Sequence, residues 1–520
     1  MRSILSILTV LFLFGCSNQN TDVQLKLITT TTTSEEARAL FYQALEEDEQ
    51  NGQNVEELLK SALDKDPNFI LAKALLNSPF ARGTANNIEV VSEIVNNSLD
   101  KVSEMEALFI MAYYHIMTGE RELSAQEFNK LKELYPDYHH IWLYSGVTQS
   151  YIGDVKVAIT DLERAVEIDK NNFLAYAFLM AKHIVVGTIG NMLPSEEIDI
   201  LKGKEYIDKM ISINPNNSFG VTMAGNYERS ISNFEKAIEY YTQVGEIPSE
   251  DNYTVYASNH YLALTNTFLN NYAVAEDFFR KNIEEASSSY KRQALWFMGN
   301  LHIYNGDFDR AIVALDEYIE KIPGLELATN VENNQRAGIH FAKFLCYSHN
   351  QLESESKEEI EKHLIFRNKN LELIKGSLTE DQYLSRKKFI NNFSFLINAW
   401  HDVLFGRYDD ARSKLKEVKE YGDSEIKNTP WALYDYNAIN GIISLNEGDF
   451  EKAKLEFEKN TGLTGGYLDL DVEYFDYFYA LALKGTGKDD EASKILDRIA
   501  NANFYGYARG LVRELAKSQI

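Results

Sequence analysis

The chain has 520 residues and a formal net charge of −26, from 52 Lys and Arg against 78 Asp and Glu. Glycine (28) and proline (8) are scarce beside the roughly 12% that the two supply in an average chain, which argues against a turn-rich all-β protein. Hydrophobic residues at 45% exclude wholesale disorder, the acidity disfavours nucleic-acid phosphates as partners, and two cysteines provide no disulfide framework.

Arg2 precedes an apolar run from Ile4 to Phe14 that ends at Gly15-Cys16. A positive start followed by about a dozen apolar residues is a secretory signal, whereas crossing a bilayer takes about 20. The stretch Leu13-Phe14-Gly15-Cys16 resembles the lipobox of bacterial lipoproteins, although Phe14 is bulkier than the family's usual residue. The resemblance implies a signal peptide over 1–15, cut before Cys16, and lipid attached to that cysteine. Residues 16–34 are polar and include five threonines in a row, so they read as the lipidated Cys and a flexible tether. Ser17, in place of Asp after Cys16, is similar to the outer-membrane sorting signal of some bacteria. The expected location is the bacterial cell envelope, lipid-anchored at the outer membrane and facing the periplasm or the cell surface.

From residue 35 onward the chain repeats. Segment 139–172, HHIWLYSGVTQSYIGDVKVAITDLERAVEIDKNN, places Trp142, Gly146, Gly153, Ala158, Leu162 and Ala165 at a spacing that resembles the 34-residue tetratricopeptide repeat. The same frame fits from residues 105, 173, 218, 256, 292, 392, 434 and 473. Position 8 is small in eight of the nine frames, as in Gly225, Gly299 and Gly441, and position 20 is small in all nine, as in Ala237, Ala311 and Ala453. Position 24 is large throughout, and Gly119, Gly153, Gly306, Gly406, Gly448 and Gly487 stand at position 15, where the first helix of each pair should end. Two antiparallel helices approach closely only where small side chains sit at the crossing.

Residues 35–68 look like a first pair with a widened turn, and 69–104 like a degenerate second pair ending in a capping Ser103 before Glu106. About 11 extra residues fall between the helices of the third clear repeat, in 188–202. The stretch 324–391 fits the frame poorly but holds two long amphipathic helices, near 331–349 and 355–376. Segment 503–517 would cap the last apolar face. The expected fold is therefore all-α, an α-solenoid: a superhelical stack of helix pairs with an N-terminal array over 35–323, a divergent helical junction over 324–391, and a C-terminal array with its capping helix over 392–520.

No catalytic motif accompanies this pattern. HExxH, a P-loop, a GxGxxG after a strand and GxSxG are all missing, so no enzyme activity and no cofactor are expected. His139 and His140 open a repeat helix. Neighbours in a helix point different ways, so they are expected at the surface or in the groove and not as joint metal ligands. Cys346 lies in an apolar stretch and reads as a buried, inert thiol.

By resemblance to the repeat family, the first helix of each pair lines the concave face. The residues placed there are Phe109, Tyr113, His140, Phe219, Asn226, Arg229, His260, Trp296, Asn300, Trp400, Tyr474 and Tyr477, an aromatic and amide-rich set that suits a peptide or partner helix. The clamp by which some repeats of this family grip acidic tails needs Lys at position 5, where these frames have none. The expected function is a membrane-anchored, non-catalytic scaffold that binds a protein or peptide in its groove and touches the membrane through its N-terminal lipid. The alternative is an outer-membrane glycan-binding lipoprotein resembling the SusD family.

Overall fold

The computed structural model describes residues 25–520, except 82–83, 85, 153, 185–192, 194–196, 249–251, 464, 469, 471 and 503–505. Among the described residues the secondary structure is helical, with 25 α-helices and no strand. Contacts divide the chain into two compact units, one ending at Asn214 and one running from Pro215 to Ile520.

The first unit contains five helix pairs. They are α1 (Glu35–Glu49) with α2 (Val55–Lys65), α3 (Ile70–Leu76) with α4 (Ile88–Asn97), α5 (Glu104–Thr118) with α6 (Arg121–Leu134), α7 (His139–Ile152) with α8 (Val155–Ile168), and α9 (Phe173–Met180) with α10 (Ile200–Ile213). Most of the expected insertion at 188–202 lies outside the described residues. Ser103 caps α5 in a full capping box with Glu106, as its spacing predicts.

The second unit contains seven pairs and a final helix. The first three are α11 (Ser218–Ser230) with α12 (Phe234–Glu246), α13 (Asn252–Phe268) with α14 (Tyr272–Glu285), and α15 (Ser288–Tyr304) with α16 (Phe308–Lys321). Next come α17 (Thr329–His349) with α18 (Glu353–Ile374) and α19 (Glu380–Leu404) with α20 (Tyr408–Glu425). The last are α21 (Tyr434–Asn446) with α22 (Phe450–Glu458), α23 (Val472–Gly485) with α24 (Asp489–Ala500), and then α25 (Tyr507–Lys517). Residues 324–391, expected as a junction, lie inside this unit: they form one lengthened pair, α17 and α18, and the N-terminal half of α19.

Four of the pairs are closed by a large side chain of the second helix lying on a glycine of the first. A Cβ added to Gly146 would stand 2.6 Å from Leu162 Cγ and 3.1 Å from the Ala158 carbonyl oxygen. The same contact recurs between Gly225 and the Tyr241 ring, Gly299 and Leu315, and Gly441 and Phe457. Positions 8, 20 and 24 therefore meet at one point. The second helices are amphipathic: α16 buries Ala311, Ile312, Ala314, Leu315 and Tyr318 and turns its charges outward. The first helices are buried on more of their circumference, since α15 buries seven consecutive residues from Met298 to Tyr304.

Residues 25–34, expected as the end of a flexible tether, form an extended segment packed on the first unit. Ile28 and Thr32 are buried. Tyr42 donates a hydrogen bond to the Ile28 carbonyl, and the Thr31 N–H and hydroxyl both donate to the buried Glu106 carboxylate. The five threonines after Ile28 give the segment polar groups to bond with, while Ile28 is buried and Leu27 stays exposed.

Helix α25 covers the last pair, as expected, and then does more. It also packs on α15, 200 residues back along the chain on the order of magnitude set by the 198-residue span from Tyr304 to Ala502, whose carbonyl accepts the Tyr304 hydroxyl at 2.8 Å. The Arg513 guanidinium lies over the Tyr304 ring at 4.3 Å and donates to Asn270 Oδ1 and the Tyr272 hydroxyl.

The turns between paired helices share one hydrogen-bond pattern whether or not glycine is present. Gly119, Gly306, Gly406, Gly448 and Gly487 have φ between +73° and +83°, but Ser232, Asn270 and Gln351 occupy the equivalent place at φ of 62°, 62° and 59°. In each, an amide just beyond the turn returns to a carbonyl in the last helical turn, as from Leu352 to Tyr347 at 2.9 Å and from Asp307 to His302 at 2.9 Å. A Cβ costs energy in this left-handed conformation. Replacing the exposed Gln351 with glycine (Gln351→Gly) is therefore expected to stabilise the protein by about 1 kcal/mol. A urea midpoint equal to or below that of the wild type would reject this account.

Candidate functional site

The inner face expected to be a groove is instead largely core. Of the twelve residues assigned to it, Phe109, Tyr113, His140, Asn226, His260, Asn300, Trp400, Tyr474 and Tyr477 are buried, and only Phe219, Arg229 and Trp296 keep partial exposure. The physical cause is tight curvature within each unit. In the first unit the end of α1 reaches α7, three pairs further on, where the Tyr144 hydroxyl donates to Asp48 at 3.1 Å. In the second, His349 of α17 hydrogen-bonds the Tyr474 hydroxyl of α23 at 3.2 Å, again three pairs away. Trp400, with no exposed surface, packs edge-on against Tyr474, Phe475 and Phe478. One apolar core runs from Ile303 to Ala516. First helices that would line an open concave surface in a gentle superhelix here bury one another.

What stays open on this face is a cleft of about 290 Å³ between the N-terminal halves of α15 and α17. Arg292, Gln293 and Trp296 line one side and Asn334, Gln335 and Gly338 the other. Trp296 stands edge-on to Tyr507 of α25, with centroids 5.7 Å apart. The amides at the cleft are held: Gln293 Oε1 accepts from the Tyr256 hydroxyl at 2.8 Å and Gln335 Oε1 from the Tyr318 hydroxyl at 2.6 Å. One turn deeper on the same face of α15, the buried Asn300 amide has no partner among the described residues. Trp296, of the expected set, lines this cleft. Asn334 and Gln335 escaped the repeat frame because α17 fits it poorly, and the polar run Glu332–Arg336 is the signal that marks them; Gln293 lies within the frame that starts at 292, at its second position.

Two other expectations resolve clearly. Cys346 is fully buried, and burial pushes its thiol pKa well up, so it is an unreactive core residue. His139 and His140 are not at the surface: both are buried, and both turn toward Glu49. Cys16 lies outside the described residues, and among the described residues no helix is long and apolar enough to cross a membrane.

Two buried histidines, His260 of α13 and His363 of α18, are held toward the neutral form by burial. Burial holds His260 down to about 3, with Arg229 adding to the effect, and holds His363 down to about 4. His260 is stacked on Tyr256, while His363 Nδ1 donates to the Ala337 carbonyl. A folded-state pKa below the unfolded value of about 6.5 means that the unfolded chain takes up the proton first. Their contribution to stability is complete above about pH 6.5 and is lost as pH falls toward 3 to 4. Between pH 6.5 and 5 each costs up to about 2 kcal/mol. Urea midpoints at pH 7 and pH 5 should therefore differ, and the difference should narrow in His260→Gln. A pH-independent midpoint over this range would contradict the neutral, buried state.

Comparison with known proteins bears on the repeats. The family model described as Tetratricopeptide repeat matches residues 106–138, which span α5 and α6. No curated protein matches the sequence. Similar solved structures include the P58(IPK) TPR domain, at 15% identity over 80% of this chain and 99% of that one, with a TM-score of 0.21. The human IFIT1 dimer with PPP-AAAA aligns at 12% identity over 89% of this chain and 93% of that one, with a TM-score of 0.31. Superpositions this loose carry no argument about how the present array is arranged or what it binds. The matched repeat and the pairwise packing at positions 8, 20 and 24 do carry one: the chain holds a tetratricopeptide repeat at 106–138, and helix pairs elsewhere in it pack at the same positions.

Proposed function

We propose that the protein is a non-catalytic interaction scaffold that engages a protein or peptide partner, held at a bacterial outer membrane by lipid on Cys16. The observation that carries the scaffold reading is the array of tetratricopeptide-type pairs, an architecture whose stacked repeats offer extended surface for macromolecular contact. Fold alone does not name a partner. The contact point best supported is the cleft at Trp296, because it joins a half-exposed aromatic anchor to the charged Arg292 and a rim of fixed amides. The anchor reading rests on the sequence around Cys16.

Crosslinking in the host followed by purification through this protein tests the scaffold. Trp296→Ala should weaken partner capture about ten-fold or more, the scale of an aromatic anchor, with helicity unchanged by circular dichroism. Trp400→Ala should instead lower stability by about 3–5 kcal/mol, since it empties a fully buried site. Capture unaffected by Trp296→Ala would remove the cleft from the model of binding, and no captured partner under any growth condition would remove the scaffold. The anchor is tested separately. Cys16→Ser should abolish incorporation of an alkyne-tagged fatty acid and release the protein from the membrane fraction, and label that persists in the variant would refute lipidation there.

A further inference from the structure

The curvature of the first unit brings the last residue of α1 against the first two residues of α7, 90 positions later. Glu49 Oε1 lies 2.9 Å from His139 Nε2 and 3.3 Å from His140 Nε2. The imidazoles pack on each other with centroids 3.8 Å apart and planes tilted by 34°. One ligand atom from each residue lies within 4.8 Å of the other two, and among the described residues this is the one such group of three. All three side chains are more than nine-tenths buried, with relative exposures of 7%, 1% and 2%. Neither Nδ1 atom has a hydrogen-bond partner among the described residues.

The surroundings are short of positive charge. Besides His139, the charged groups that bear on Glu49 are Asp169 and Glu46, and both disfavour its ionised form, as burial does. Asp48, the preceding residue, is buried as well. A buried carboxylate among acidic neighbours needs a compensating cation or a proton. Two imidazole nitrogens and one carboxylate oxygen form a donor set for zinc-class ions, whereas calcium and magnesium favour all-oxygen sites. Tetrahedral zinc with bonds of about 2.0–2.1 Å sets its ligand atoms roughly 3.3 Å apart. The two observed nitrogen-to-oxygen separations therefore require only small shifts to take up such an ion.

We propose that Glu49, His139 and His140 form a binding site for a divalent transition-metal ion of the zinc class, which ties α1 to α7 and leaves its remaining coordination to water. The ion would act as a structural clasp on the first unit. It would take the place of the hydrogen bond between Glu49 and His139 and give the buried carboxylate a cation as partner. This proposal is independent of the partner cleft, which lies in the second unit.

The test uses the full chain stripped of metal with a chelator and then titrated with Zn²⁺ alone. One equivalent should bind by calorimetry, and the melting temperature should rise with free Zn²⁺ as expected for an ion that binds only the folded state. His140→Gln should lower the affinity at least ten-fold while keeping the helicity. Absence of saturable binding by the wild type, or one-equivalent binding that survives in His140→Gln, would overturn the site. Should that variant fail to fold, X-ray absorption at the zinc edge of the wild type decides: scattering from two imidazoles supports the assignment, and scattering from fewer overturns it.

Discussion

The fold depends on one repeated contact: a large side chain of the second helix lying on a residue too small to keep it away. Leu162 on Gly146, Tyr241 on Gly225, Leu315 on Gly299 and Phe457 on Gly441 are four instances of it. Each brings two helices close along their length. Each also leaves a pair whose remaining apolar face must be covered by the next pair, so no pair is self-sufficient. The outer helices meet this demand with a single stripe, as in α16. The inner helices meet it on almost every side, as in α15.

Much of the fold was legible because this contact leaves a mark in the sequence. Small residues at positions 8 and 20 and a large one at 24 are enough to locate the pairs. The turns were only half legible. Glycine announces a left-handed residue, but Ser232, Asn270 and Gln351 adopt the same conformation without announcing it, since the return hydrogen bond and the packing of both helices impose it. Residues 324–391 were obscure for a related reason: α17 and α18 are longer than a repeat helix, so their crossing shifts away from the expected positions while the pair itself is retained.

The site was less legible than the fold. A repeat frame states which residues face inward, and Trp400, Tyr474 and His260 do face inward. It does not state the curvature of the stack, and curvature decides whether an inward residue meets solvent or another helix. That quantity depends on contacts between pairs three repeats apart, such as His349 with Tyr474, which no local spacing encodes. The same long-range contacts explain why adjacent histidines at 139 and 140 converge on one carboxylate from the far side of a turn. Trp296 keeps partial exposure because it lines the cleft between the N-terminal halves of α15 and α17.

The return of α25 to α15 also bears on how the chain emerges from the ribosome. Sequence-adjacent pairs can meet as soon as both are made. The partners of Tyr304, however, include Ala502, 198 residues further on. At elongation rates of about 5–20 residues per second, on the order of 10–40 s separate the synthesis of the two. During that interval the α25-facing side of α15, with Ile303 and Tyr304, has no cover from its own chain. Completion of the second unit thus waits for α25 to be translated, and the nascent protein passes through a period in which an apolar face is open to whatever else is nearby.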